Sequence, residues 1–386
     1  MQTEAKEKKG VIAFFNKSGI SLSPKVYFVD AMGAMALGIF ASLLIGTIFD
    51  TLATYTGLAF LATIASYAKA ATGMAIGVSI AHKLGAHPLA IYSCAAVGAM
   101  SNAMGAIIDG GAILSWAATS MSGGKGVFYS AGPAGAFFAV VIACEVGKLV
   151  SKKTKVDILV TPVVTLLVGF FASWALSPIV SYVMYYLGVF IASATTYLPF
   201  LMGIVASVVM GVVLTLPISS AAICAMIFSA SALEVAVLNG TAEGFLLAGG
   251  ACAVGCCAQM VGFAAISFRE NRWGGVIAQG LGTSMLQMGN IIKKPIIWIP
   301  ATLASAITGP ISTCLFKLEC AGVSAGMGTC GLVGPIGIFT QMGFDANSII
   351  GVILTCVVFP AALSLLFSEL MRKFGYIKFG DMKLEL

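Results

Sequence analysis

Two ionisable residues stand where ionisable residues are rare. Lys69 lies near the middle of the apolar run 57–81, about twelve residues from either end. At 1.5 Å per residue that is roughly 18 Å from each interface, too far for a lysine to snorkel easily. A charge there needs a partner, a wet cavity or an altered protonation state. Lys69 can contact a polar or anionic group of a substrate, or it can pair with a buried acid such as Glu145 or Glu234. Glu319 is the one carboxylate of residues 309–339, a stretch bracketed by Pro310 and Pro335. Gly322, Gly326, Gly328, Gly331 and Gly334 interrupt any helix there. Such backbone is tolerated at membrane depth only where protein buries it or a wet cavity adjoins it. The freed N–H and C=O groups of Gly326, Gly328 and Gly331, with Thr313 and Thr329, then suit a hydroxylated or anionic ligand. Glu319 can accept hydrogen bonds from hydroxyls or pair with Lys317. An ordinary outer loop with a surface acid is the competing reading.

Two further site candidates are Asn102 and Glu234, polar residues within apolar runs. Gln259, Gln287 and Asn290 resemble Asn102 in this respect, and hydrogen bonds between helices explain such residues as well as ligand contacts do. Asp50, Asp109, Glu243 and Asp345 fall near the outer ends of spans and read as solvated. Glu145 is spaced to pair with Lys148. His82 and His87 flank a short inner loop and read as interface residues. Ten cysteines lie mostly in apolar runs without a C-x-x-C pair, so they read as small buried hydrophobes. No catalytic residue, metal ligand set or cofactor is expected. The phosphate-cradling G-x-x-x-x-G-K-[ST] pattern is absent, and MSGGKG at 121–126 lacks its spacing. At most, the chain is the membrane subunit of a larger enzyme, with no catalytic domain of its own.

The elements that must position these residues are membrane spans. Of the 386 residues 59% are hydrophobic and only 9% charged, against roughly 25% charged in soluble domains. Spans need about 20 apolar residues. Ten segments qualify: 27–49, 57–81, 88–108, 130–150, 158–178, 188–214, 217–238, 244–267, 296–316 and 347–370. The fold class is therefore an all-α polytopic membrane protein of about ten transmembrane helices. Segments 109–129, 274–292 and 320–340 are apolar but broken by glycine, and suit re-entrant loops or interfacial helices. With both termini inside, only Lys69, Lys125 and Lys317 of the 21 lysines and arginines escape the inner side. The net charge of +6 is thus a topology signal and not a nucleic-acid footprint. The N-terminal segment lacks a cleavable signal pattern and suggests an interfacial turn at 11–15.

Residues 38–57 and 169–188 match at seven of twenty positions without a gap. The similarity continues weakly at a period near 130 residues, with Pro199 breaking the helix related to that of Lys69. Two parallel four-span repeats follow, a pattern typical of transporters whose site lies where halves meet. The expected organisation is a cytoplasmic segment 1–25, repeats at 26–156 and 157–273, a two-span unit at 274–371 with a Gly-rich re-entrant loop, and a cytoplasmic tail 372–386.

At Gly309-Pro310-Ile311-Ser312-Thr313 and the run from Ala325 to Pro335, the sequence resembles the membrane component (enzyme IIC) of bacterial sugar phosphotransferase systems. It is similar in particular to the divergent branch of perfringolysin-regulator-like membrane proteins. The motif covers roughly 30 residues, and the span layout extends the resemblance loosely over the chain. The resemblance implies a homodimeric permease in the bacterial plasma membrane, moving a sugar-like solute and served by separate phosphotransferase subunits. Glu319 is the counterpart of a sugar-binding glutamate in that family, although the usual G-I-T-E wording is missing and no histidine lies nearby. A secondary transporter of a small anionic metabolite, and a membrane sensor without flux, are the alternative readings.

Overall fold

The computed structural model describes residues 20, 23–109, 112–120, 126–216 and 220–384. The expected turn at 11–15, most of the segment 1–25, and Lys125 with most of the MSGGKG run lie outside the described residues. The chain forms two compact units, one up to Met184 and one from Tyr185. This division falls inside helix Asp157–Tyr197.

Among the described residues, seven helices are long and apolar enough to cross a membrane, or eight if one bent pair counts as a single span. Their outer faces carry Phe60, Ile158, Phe171, Phe190 and Leu366, all exposed. Large apolar side chains pointing outward are what a lipid solvent requires.

In the first unit, a long helix Val26–Thr54 is followed by the bent pair Ala59–Ala70 and Thr72–Lys83, which meet at 50°. Helix Thr72–Lys83 packs on Pro88–Ala103, and both pack on Gly132–Val150. Glycine makes the first crossing: a Cβ on Gly77 would strike the carbonyl of Cys94, and one on Gly98 the carbonyl of Gly73. Close backbone approach gives dispersion contact where no hydrophobic effect joins helices.

Expected spans and observed helices differ in three places. The run 57–81 is broken at Ala71. The run 88–108 stops as a helix at Ala103 and continues as a strand. Three antiparallel strands follow, β1 (Gly105–Asp109), β2 (Ala112–Ala118) and β3 (Val127–Ser130), ordered β2-β1-β3. The described residues of 109–129 are therefore largely sheet where a re-entrant loop or interfacial helix was expected. β-Branched and aromatic residues explain this, since Ile108 faces Ile113 and Ile107 faces Phe128 across the ladder. Trp116 of β2 ties the sheet to the long helix by donating to the Trp174 carbonyl at 3.1 Å. Third, a single helix of 41 residues, Asp157–Tyr197, replaces the run 158–178 and the start of 188–214. Pro199 then starts a separate helix, Pro199–Thr215.

The second unit is built around helix Ala242–Ile266. Twenty of its 25 residues are buried, so it is the unit's axis, whereas Asp157–Tyr197 exposes Ile158, Phe171, Trp174 and Phe190. Pro199–Thr215, Ile299–Pro310 and Phe359–Lys373 pack around this axis. Gln259 joins two of these elements, donating to Thr302 Oγ1 at 3.2 Å and accepting from Trp298 Nε1 at 3.1 Å. Eight of the ten cysteines are buried and all are unbonded thiols, as small hydrophobes would be.

Candidate functional site

The backbone around Glu319 is irregular for reasons visible in the sequence. Helix Ile299–Pro310 continues through one wide turn, Ile311–Leu315, and stops. Short turns Gly322–Gly326 and Cys330–Leu332 follow before helix Val333–Met342 begins. Gly328 has φ +56 and lies against the backbone of Cys256 and Cys257, so no other residue fits there without strain. The segment is seated on the central helix, where Cβ atoms on Gly249 and Gly250 would strike the carbonyls of Cys320 and Leu318.

Most freed groups in this loop find partners. Cys320 N–H donates to Leu246 O at 3.1 Å, Gly322 N–H to Phe228 O at 3.0 Å and Gly334 N–H to Gly328 O at 2.8 Å. Ser220 Oγ donates to Gly326 O at 2.7 Å. Thr313 is buried and donates to Pro199 O at 2.9 Å, a side-chain tie to the first turn of helix Pro199–Thr215. The exception is Thr329, 3% exposed, whose hydroxyl has no protein partner. Buried hydroxyls are normally bonded, so an orphan one marks a place for a ligand or water.

Glu319 follows the ion pair that Lys317 makes with Glu243 at 2.9 Å. Lys317 thus faces Glu243 and leaves the Glu319 carboxylate available. Glu319 N–H points to Met342 Sδ at 3.3 Å. Burial, followed by the nearby Glu243 charge, pushes the Glu319 carboxyl above its ordinary value, against the opposing pull of Lys317. A half-desolvated carboxylate of this kind is a strong acceptor for hydroxyl donors.

Lys69 and Asn102 belong to the first unit. Lys69 sits two residues before the break at Ala71 and forms an ion pair with Asp50. Its acid is neither Glu145 nor Glu234. Glu145 instead pairs with Lys148 at 2.8 Å and accepts from Tyr27 Oη at 3.1 Å. Asn102 lies beside Gly73 at the crossing of Thr72–Lys83 and Pro88–Ala103, and its buried carbonyl oxygen has no partner. Glu234 is exposed on helix Ala230–Leu238. Gly331 has φ +53, and a Cβ there would touch only the Val333 side chain, at 3.9 Å. The loop residues Glu319, Gly326, Gly328, Thr329 and Gly331 lie in one irregular stretch between helices. Sequence reasoning missed Asp50 and Glu243 as the partners of the two lysines, because ion-pair partners distant in sequence leave no local signal. Among the described residues no cluster of His, Cys, Asp and Glu could hold a metal ion.

Outward apolar helices, broken helices and an irregular Gly-rich loop define a multi-pass membrane protein of the transporter class. A protein-family model described as "Phosphotransferase system, EIIC" matches residues 29–384, nearly the whole chain. The chain belongs to this family, and is a membrane component of phosphotransferase sugar transport. No curated protein matches the sequence significantly.

Proposed function

We propose that the chain binds and moves a carbohydrate as the EIIC permease of a phosphotransferase system, with Glu319 and the loop 322–334 at the sugar. The observation that carries this is the buried, unpartnered hydroxyl of Thr329 in the irregular segment that also bears the half-buried Glu319. A sugar hydroxyl is both donor and acceptor, and supplies what each group lacks. Gly326, Gly328 and Gly331 keep side chains away from the backbone there, and Thr313 ties the neighbouring turn to helix Pro199–Thr215. Lys69 and Asn102, beside the helix break of the first unit, and Glu234, in the second, are further candidate solute contacts. The wider reading is a homodimer in the bacterial plasma membrane, with ten spans in two four-span repeats, cytoplasmic termini and separate phosphate-delivering subunits.

The test is solute uptake in proteoliposomes supplied with phosphotransferase subunits, after a thermal-shift screen of sugars selects the substrate. A ligand at a hundred times its Kd raises stability by roughly 2.7 kcal/mol, which such a screen detects. Glu319→Gln is expected to lower uptake at least tenfold. Wild-type uptake by both Glu319→Gln and Lys69→Met removes the assigned site.

A further inference from the structure

After helix Phe359–Lys373 the chain turns at Gly375, with φ +75, and runs on as residues 376–384. The segment closes its own turns, Asp381 N–H donating to Lys378 O at 3.2 Å and Lys383 N–H to Gly380 O at 3.3 Å, and its outward groups are held by side chains of residues 266–297. Glu270 takes one backbone N–H on each oxygen, Gly380 on Oε1 and Met382 on Oε2, both at 3.0 Å. Asn271 makes a two-point contact, donating to Met382 O and accepting from Leu384 N–H, both at 2.8 Å. Gln287 also donates to Met382 O, and Asn290 donates to Lys383 O, each at 3.0 Å. Lys294 pairs with Asp381. Ile377 and Met382 are buried with Phe263, Ile266, Ile291, Ile297 and Ala301.

The groups that read the segment are themselves fixed. Buried Gln279 accepts from Gln287 Nε2 at 2.9 Å and donates to Ser267 Oγ at 2.9 Å. Arg372 flanks Glu270, whose side chain is 1% exposed. Backbone groups satisfied by amides and a carboxylate, two apolar anchors and one charge-matched residue are the components of a peptide-binding site. They are not the loose contacts of a chain end lying on a surface.

We propose that residues 266–297 form a peptide-binding site whose resident ligand is the segment 376–384, held as an exchangeable unit. The site selects a peptide that makes the same tight turns over 378–383, with apolar residues at the places of Ile377 and Met382 and an acid at that of Asp381. Release of the segment leaves Glu270, Asn271, Gln287 and Asn290 without these partners, so another peptide of the same pattern competes for them.

The experiment inserts a specific protease site at the exposed turn 374–375 of the full chain and cuts the purified protein in micelles. The cut fragment is expected to stay bound through gel filtration and to exchange with a fluorescent peptide of residues 376–386, giving saturable anisotropy. Peptides with Met382→Asp or Asp381→Lys are expected to compete at least tenfold less well, and Asn271→Ala in the protein to weaken binding at least tenfold. A fragment that washes away without rebinding, a cut protein that loses its fold, or equal competition by the altered peptides overturns the proposal.

Discussion

Lys69 and Asp50 meet as an ion pair where helix Ile45–Thr56 crosses helix Ala59–Ala70 at Gly46. The side chains are 35% and 51% exposed, so as a brace the pair is worth no more than about 1 kcal/mol in water. A brace works with its charges reversed, whereas a solute contact does not. The double change Asp50→Lys with Lys69→Asp is therefore expected to keep wild-type yield and melting temperature and to lose uptake. Full uptake by the reversed pair would take Lys69 out of the pathway.

The two threonines of the loop region separate structure from ligand. Thr313→Val removes a buried hydroxyl that bonds Pro199 O across the helix crossing and is expected to cost about 1 kcal/mol in denaturation of the micellar protein. Thr329→Val removes a hydroxyl that has no protein partner, so stability should stay within about 0.5 kcal/mol while uptake falls. A stability loss at Thr329 as large as that at Thr313 would assign both hydroxyls to the scaffold.

Gly250 supports the carbonyl of Leu318, the residue before Glu319, with no room for a methyl group. Gly250→Ala is expected to destabilise the protein by about 1–3 kcal/mol through overpacking and to reduce uptake by moving Glu319. Gly289, in helix Met288–Lys293, meets nothing within 4 Å. There Gly289→Ala should be neutral or slightly stabilising. Thermal unfolding of the two variants side by side checks the contrast.

With Glu319 at the sugar, as proposed, uptake is expected to depend on pH. Burial and Glu243 raise the carboxyl above its ordinary 4.5, so the folded chain holds this proton more tightly than the unfolded one. The stability contributed by Glu319 is therefore fully present below about 4.5 and is lost as pH rises through the folded value. If the ionised form accepts sugar hydroxyls, uptake rises over that same interval. Glu243→Gln should move the rise to lower pH, and Lys317→Met should move it to higher pH. A profile unmoved by either change would show that Glu319 does not set it.

The membrane class was legible because composition leaves no other solvent, and the Gly-rich loop because five glycines between two prolines forbid a helix. The Glu145–Lys148 pair was legible because both lie on one helix, three residues apart. The bridge through Gln259 followed from a polar group in an apolar run. What escaped were features decided by distant partners. The strand at Ile107–Ile108 reads as the end of an apolar span until Phe128 and Ile113 are seen beside it. The break at Ala71 has no proline to announce it. Gln287 and Asn290 gave no sign that they hold residues 382 and 383, almost a hundred positions away.

The helix Asp157–Tyr197 carries one more implication. Its 41 residues make a rod about 60 Å long at 1.5 Å per residue, twice the roughly 30 Å of hydrocarbon in a bilayer. A rod of that length and apolarity lies within the hydrocarbon only at a steep slant, about 60° from the normal, or with a bend near Pro162 or Pro178. Slant and bend both depend on acyl-chain length, so hydrophobic mismatch acts directly on this element. Lipid thickness then becomes a control variable for the protein, to be tuned with lipids of graded chain length.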